Sequence, residues 1–308
     1  MIIVIIVRYC GGLGNQMFQY AVQLALTKKY KNQEIKGENF YYFLENEHNA
    51  FELETYFNID INLATKKELK LVYNGIIPKP FYKKFLLIKY PYKCLSLMNL
   101  SFKKKCLITD DKFNNYVKKL DNLSIGNWYL RGFWQKTEYF ENYRKDILSV
   151  FPLKCTISEE EKKIVKKLEN GQYIAVHVRG GDFIGPKYNS KFNLCGINYY
   201  QQALKEINKE NLPLVVFTDD IKYSKELLNK FNVAYYISHD VNNSIADMYM
   251  LSMSKKLIIS NSTFAFWGAY LSKIVDQEVI CPKYATWDGT NYRFFTQRNF
   301  WKVVDNRK

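Results

Sequence analysis

The densest chemistry in the chain is a short polar cluster: His177, Arg179, Gly180, Gly181 and Asp182. It closes the apolar, β-branched run Tyr173 to Val178, whose pattern predicts a strand buried on both faces of a parallel sheet. In open α/β sheets ligands bind beyond the carboxyl ends of the strands. An arginine there, followed by glycines that let backbone approach a ligand, suits a phosphate-bearing substrate. The plainer reading is a strand that ends in a polar turn, with His177 and Asp182 making local hydrogen bonds.

The elements around this cluster favour the first reading. Ile2 to Val7 predicts a first strand. Gly11-Gly-Leu-Gly-Asn-Gln16 follows as a glycine-rich turn, and Met17 to Leu26 has helical apolar spacing. No Gly-Lys-Ser/Thr follows, so this is not a P-loop. As a dinucleotide fingerprint it is imperfect, because Met17 stands where a third small residue belongs and no acid ends a second strand. On its own the turn is also consistent with simple helix–strand packing.

Phe40 to Lys119 mixes aromatics with lysines and predicts short helices and irregular connections. Trp128 to Gln135 alternates like a strand, and Lys136 to Val150 predicts a helix. Phe151 to Thr156 is the expected boundary between domains 1–152 and 153–308, because Pro152 biases its predecessor away from helix. Ser158 caps a helix running to Glu169. Strands at Leu214–Phe217, Ala234–Ile237, Lys256–Ile259 and Glu278–Cys281 then alternate with helices at Asn198–Asn208, Ser224–Phe231, Ser244–Ser254 and Phe264–Leu271. Such alternation predicts a doubly wound parallel sheet. Polar strand ends at Arg179, at Asp219-Asp220 and at Ser260 to Thr263 would share one sheet edge. The helix after Thr263 would offer its N-terminal amides to an anion. Asp219-Asp220 reads either as a metal-ligand pair or as a hydrogen-bonding turn, and the turn is preferred.

Composition bounds the class. A chain of 308 residues with 47% hydrophobic and 17% aromatic residues can bury two cores. Met1 to Val7 is too short to span a bilayer and lacks the features of a signal peptide. Cys10, Cys94, Cys106, Cys155, Cys195 and Cys281 show no CxxC spacing, which suits reduced cysteines of a cytoplasmic protein. The net charge of +15 raises a nucleic-acid or acidic-membrane partner. From Lys66 to Lys119 fourteen lysines face three acids, Glu68, Asp110 and Asp111. Without interleaved arginine and glycine they fit anionic headgroups at least as well as nucleic acid, and an ordinary solvated surface is the third reading.

Four stretches resemble the signature blocks of bacterial α-1,2-fucosyltransferases, glycosyltransferase family 11. They are Gly11-Gly-Leu-Gly-Asn-Gln-Met-Phe-Gln-Tyr-Ala21, Gly132-Phe-Trp-Gln135, His177-Val-Arg-Gly-Gly-Asp182 and Ser260-Asn-Ser-Thr-Phe-Ala-Phe-Trp-Gly-Ala-Tyr-Leu271. They stand in the family's order over nearly the whole chain. The resemblance implies a GT-B fold, two Rossmann-like α/β domains facing across a cleft. It also implies a metal-independent enzyme with no cofactor, moving L-fucose from GDP-fucose to the 2-hydroxyl of a terminal galactose with inversion. The implied acceptor is a galactose-terminated oligosaccharide, lipid-linked forms included, and no nucleic acid takes part.

The resemblance further implies residue roles. Arg179, with Ser262, Thr263 and Asn261, would stabilise the leaving phosphate, with Asp219 beside them in the donor site. His177 and Asp247 would read the guanine. Asn15 would sit near the transferred sugar, with Gly14, Gln16, Trp134 and Gln135 around it on the acceptor side. Inversion calls for a base on the attacking hydroxyl, and Asp182 is the candidate, equally a residue that holds its loop. Gly180 replaces the family's second arginine, so Arg179 carries the phosphate charge alone or with help from Arg131 or Lys187. A Rossmann-type dinucleotide oxidoreductase and a basic nucleic-acid-binding protein remain as alternatives. The location expected is cytoplasmic, with peripheral contact to an anionic membrane.

Overall fold

Continuous Val and Ile runs in this chain become strands covered on both faces, as in β1, Val4–Arg8, where Val4 to Val7 are fully buried. The computed structural model describes residues 3–40, 42, 51–57, 59–73, 106–110, 118–181, 195–240, 243–284 and 301–306. The chain divides into two compact units, Met1–Val150 and Phe151–Lys308.

In the first unit β1 leads through Gly11 and Gly12 into a helix at Leu13–Lys29. Lys28 and Lys29 in its last turn complement the negative end of the helix dipole. The described strands β2 (Glu34–Glu38), β3 (Leu107–Thr109) and β4 (Trp128–Arg131) join β1 in a parallel sheet of order β2-β1-β4-β3. The chain grows from β1 toward β2 and later returns to the other side of β1, so the strand order reverses between β1 and β4.

The second unit holds a parallel sheet of order β10-β9-β8-β5-β6-β7. Its strands are β5 (Ile174–Val178), β6 (Leu214–Thr218), β7 (Val233–Ile237), β8 (Lys256–Ile258), β9 (Glu278–Pro282) and β10 (Lys302–Val304). From β5 the order runs out to β7, then restarts beside β5 at β8. The reversal between β5 and β8 is the place where such sheets open a ligand crevice. Both units are therefore of the parallel α/β, Rossmann-like type.

Several local expectations change. The stretch 136–150 is not one helix but two single 3-10 turns, Thr137–Tyr139 and Glu141–Tyr143, before a helix at Arg144–Val150. Phe140 breaks it at φ −142° and is fully buried, so packing of one aromatic ring overrides helical spacing. The strand expected to reach Gln135 stops at Arg131. The helix expected from Ser224 starts at Ile221, because the Asp220 side chain accepts from the Tyr223 amide and caps it. Strands β2, β3 and β10 had no apolar run long enough to announce them.

Candidate active site

Three adjacent strand ends of the second unit converge at the β5/β8 reversal. Just past β5, Arg179 Nη1 lies 2.6 Å from Asp219 Oδ2, just past β6. The other carboxylate oxygen of Asp219 accepts from the Gly180 amide at 2.8 Å. Gly181 has φ +39°, and a Cβ there would stand 2.5 Å from Asp219 Oδ2, so only glycine fits beside the pair. The cluster around Arg179 is thus built by one carboxylate that fixes both a guanidinium and a backbone turn.

Across the reversal, His177 Nδ1 is 2.8 Å from Ser260 Oγ, which ties the end of β5 to the segment after β8. Burial, helped by the nearby Arg179 charge, pushes the His177 imidazole down to about 3, so it is neutral at ordinary pH. Its carbonyl accepts from Tyr200 Oη at 3.0 Å, while Tyr199 Oη donates to the Ile259 carbonyl at 2.6 Å. Two tyrosines of the Ile197–Ile207 helix thereby pin the neighbouring strand ends from behind. Ser260, Asn261 and Ser262 are buried, and Ser262 is the N-cap of the Thr263–Tyr270 helix without a side-chain cap bond. That helix start follows the strand adjacent to Arg179's, and helix N-termini as a class favour anions.

Asp247 sits in the first turn of the Ser244–Ser252 helix, which follows β7, and is nearly buried. Its Oδ1 is 2.6 Å from His239 Nδ1, and its Oδ2 accepts from the His239 amide at a longer 3.4 Å. His239 Nε2 lies 2.8 Å from Glu161 Oε1. Burial opposes the charged imidazole, but the contacts with Asp247 and Glu161 outweigh it and raise the His239 pKa. Burial raises Asp247, against the pull of His239. Glu161 is held below its usual range by the Ser158 hydrogen bonds and His239, although burial works the other way.

The glycine turn of the first unit is held by side chains that no apolar pattern marks. Gln16, Gln19 and Gln23 line a buried face of the Leu13–Lys29 helix. Gln16 Nε2 and Tyr42 Oη both donate to the Gly11 carbonyl, at 3.1 and 2.6 Å. Gln19 bridges β1 and β4: its Nε2 donates to the carbonyls of Cys10 and Gly132, and its Oε1 accepts from the Cys10 amide. Tyr9 Oη donates to Gln23 Oε1 at 2.6 Å. Gly11 itself has φ +80°. Asn15 Oδ1 accepts from Gln135 Nε2 at 2.6 Å, joining the helix start to the stretch after β4. Trp134 is fully buried at φ 56°, an unusual conformation for a bulky residue, and its amide donates to Asp110 Oδ2 at 2.7 Å. Glu52, whose amide donates to Gln16 Oε1, has its carboxyl pushed up to about 7 by burial, opposed by the Leu13 amide.

The second unit therefore brings His177, Arg179, Asp219 and Ser260 to Thr263 together, with Asp247 on the next helix start. The first unit brings Gly14, Asn15, Gln16 and Gln135 together, with Trp134 beside them in sequence. Arg131 ends β4 in the first unit. Asp182 and Lys187 lie outside the described residues, as does most of the lysine-rich stretch. Asp219 and Asp220 behave as a hydrogen-bonding turn, one engaged with Arg179 and Gly180 and the other capping a helix. Among the described residues no cluster of three metal-ligating side chains occurs. The residues that sequence reasoning missed are Ser260 as partner of His177, the His239–Glu161 pair, and Gln19 and Gln23. Only the glutamines left a signal, polar residues recurring at helical spacing in an apolar helix.

The family model described as Glycosyl transferase family 11 matches residues 2–289. An O-antigen biosynthesis glycosyltransferase of Escherichia coli is 30% identical over 289 residues, spanning 89% of this chain and 92% of the relative. An alpha-1,2-colitosyltransferase of Escherichia coli is 29% identical over 276 residues, 87% of each chain. A galactoside 2-alpha-L-fucosyltransferase of Bos taurus is 29% identical over 153 residues, 46% of this chain and 42% of that protein.

Proposed function

The chain belongs to glycosyl transferase family 11, and from that premise we propose that it is a GT-B enzyme moving L-fucose from GDP-β-L-fucose to the 2-hydroxyl of a terminal galactose, with inversion. The observation that carries the donor half is the Arg179–Asp219 pair at the β5/β8 reversal, beside the uncapped helix start at Ser262 and Thr263. Breaking the bond to the nucleoside diphosphate builds negative charge on the β-phosphate. A guanidinium already oriented by Asp219, together with N-terminal helix amides, meets that charge without reorganising. Neutral His177 and Asp247 supply hydrogen bonds to guanine: a carboxylate accepts from two N–H groups on one edge of the base. Asn261 lines the same site.

On the acceptor side Asn15, held by Gln135, orients the sugar hydroxyls, with Gly14, Gln16 and Trp134 shaping the turn around it. Asp182 is the proposed base, and Gly180 leaves Arg179 as the cation on the phosphate. No metal ion takes part in this reading. The acceptor is an oligosaccharide, free or lipid-linked. In the lysine-rich stretch the described Lys66, Lys67 and Lys70 are exposed, which supports peripheral binding to an anionic inner membrane face. Co-sedimentation with anionic vesicles at low salt, lost at high salt and absent with neutral vesicles, is the expected result; equal binding to both kinds, or to neither, defeats it.

A second donor is favoured by one observation, the likeness to the colitosyltransferase over most of the chain. Colitose is fucose without its 3-hydroxyl, so the same phosphate and base contacts would serve. Incubating the protein with a panel of GDP- and UDP-sugars and galactosides, and following nucleotide release, tests both readings. GDP release with a GDP-6-deoxyhexose and a galactoside, giving a 1,2-linked product, is expected. Turnover with UDP-sugars alone would overturn the proposal.

A further inference from the structure

His239 lies between two carboxylates that belong to different helices. Its Nδ1 is 2.6 Å from Asp247 Oδ1, and its Nε2 is 2.8 Å from Glu161 Oε1. Only the imidazolium has an N–H for each. Glu161 is itself fixed, because its Oε2 accepts from the Ser158 amide and hydroxyl at 2.6 and 2.7 Å in a capping box. The imidazolium is therefore anchored on its far side by a rigid helix start. On its near side it takes one oxygen of Asp247, while among the described residues Oδ2 has only the 3.4 Å contact to the His239 amide.

We propose that His239 is a positioning residue for the nucleoside base of the donor: bridging Glu161 and Asp247, it holds the Asp247 carboxylate ionised and turned so that Oδ2 meets the guanine N–H edge. This rests on the reading that Asp247 contacts guanine. Loss of the His239 proton leaves a ring lone pair against one of the two carboxylates at under 3 Å. The ring or a carboxylate must then turn away, and Asp247 loses its fixed orientation. Donor affinity is thus tied to the charge on His239, which its two acidic partners favour. The charged and titratable groups around it are Glu161 on one helix, Asp247 on the other, Asp240 on its own loop, and Cys155, which interacts with Glu161.

The test is calorimetric binding of GDP between pH 6 and pH 9 by the wild type, His239→Gln, Glu161→Gln and Asp247→Asn, each checked for folding by thermal melting. Taking wild type over His239→Gln at each pH cancels titration of the nucleotide. That ratio should be about tenfold at pH 6 and close to one at pH 9, a tenfold change being about 1.4 kcal/mol. A ratio of one throughout, or a constant one, overturns the proposal, since a merely structural role would not move with pH. Glu161→Gln should shift the midpoint of the wild-type decline to lower pH; an unmoved midpoint also overturns it, and this variant decides if His239→Gln does not fold. Undiminished GDP affinity in Asp247→Asn would instead remove the guanine reading on which the inference rests.

Discussion

Arg179 Nη1 stands 2.6 Å from Asp219 Oδ2 across the adjacent ends of β5 and β6, and both side chains are about one-third exposed. A partly exposed ion pair adds little to stability, so its use is orientation. Arg179→Ala should lower kcat on the order of a hundredfold, with a smaller change in GDP affinity, since the contact tightens as the phosphate gains charge. Arg179→Lys should rescue poorly because the planar fork is lost. Asp219→Asn keeps the acceptor for the Gly180 amide but drops the charge that aims the guanidinium, so a fall in kcat of about tenfold is expected. Steady-state kinetics on folded variants decide; near-normal kcat in Arg179→Ala would remove the arginine from the chemistry.

Gly181 gives an independent handle on the same pair. A methyl group there would meet Asp219 Oδ2 at 2.5 Å, and φ is +39°. Gly181→Ala should lose about 1–3 kcal/mol in denaturant unfolding and lower kcat as Asp219→Asn does. Loss of stability with full kcat would separate the turn from the role proposed for Arg179.

The two aspartates after β6 also bear on metal dependence. Asp219 is engaged by Arg179 and the Gly180 amide, and Asp220 by the Tyr223 amide, so using either as a metal ligand would compete with a contact already made. Activity should therefore survive excess EDTA and gain nothing from added magnesium or manganese. Abolition by EDTA with rescue by manganese would put these carboxylates at the centre of the reaction instead.

Asn15 and Gln135 meet at 2.6 Å within the first unit. Asn15→Ala should lower kcat by about tenfold or more while GDP affinity, which the proposal assigns to the second unit, stays within about twofold of wild type. Gln135→Ala should give a milder version of the same split, because it leaves Asn15 in place. Parallel loss of GDP affinity would contradict an acceptor-side role.

The contrast between Arg179 and His239 shows what the sequence made legible. Arg179, Asp219 and Ser262 each follow a buried apolar strand, so period, burial and strand-end logic place them from the sequence. The same logic placed the Ser158 cap and the β5, β6, β8 and β9 runs. His239 follows a strand too, but its partners Glu161 and Asp247 come from two other helices, and no local spacing encodes a three-way contact. Likewise β2, Glu-Ile-Lys-Gly-Glu, has a polar sequence and is identifiable only once β1 is there to pair with it. The turn at Trp134 is not legible because its φ of 56° goes with an amide bond to Asp110, distant in sequence, which local preference does not report.

Buried, neutral His177 makes a pH prediction with a definite sign. Its folded pKa is about 3, against 6.5 for the exposed side chain. Between those values the unfolded chain binds a proton that the folded one refuses, so the unfolded state gains as pH falls. The contribution of His177 is fully present above about pH 6.5 and is lost on acidification toward pH 3 at roughly 1.4 kcal/mol per unit. His239 has the opposite sign: its raised pKa stabilises the fold at low pH and fades as pH rises through the folded value. Subtracting a variant isolates one from the other. His177→Gln keeps a hydrogen-bonding group for Ser260 and does not titrate. The difference in unfolding free energy, wild type minus His177→Gln, should hold level from pH 8 to about pH 6.5 and then decline steadily down to pH 5. A difference that stays constant over that range would mean that His177 can take up its proton inside the fold.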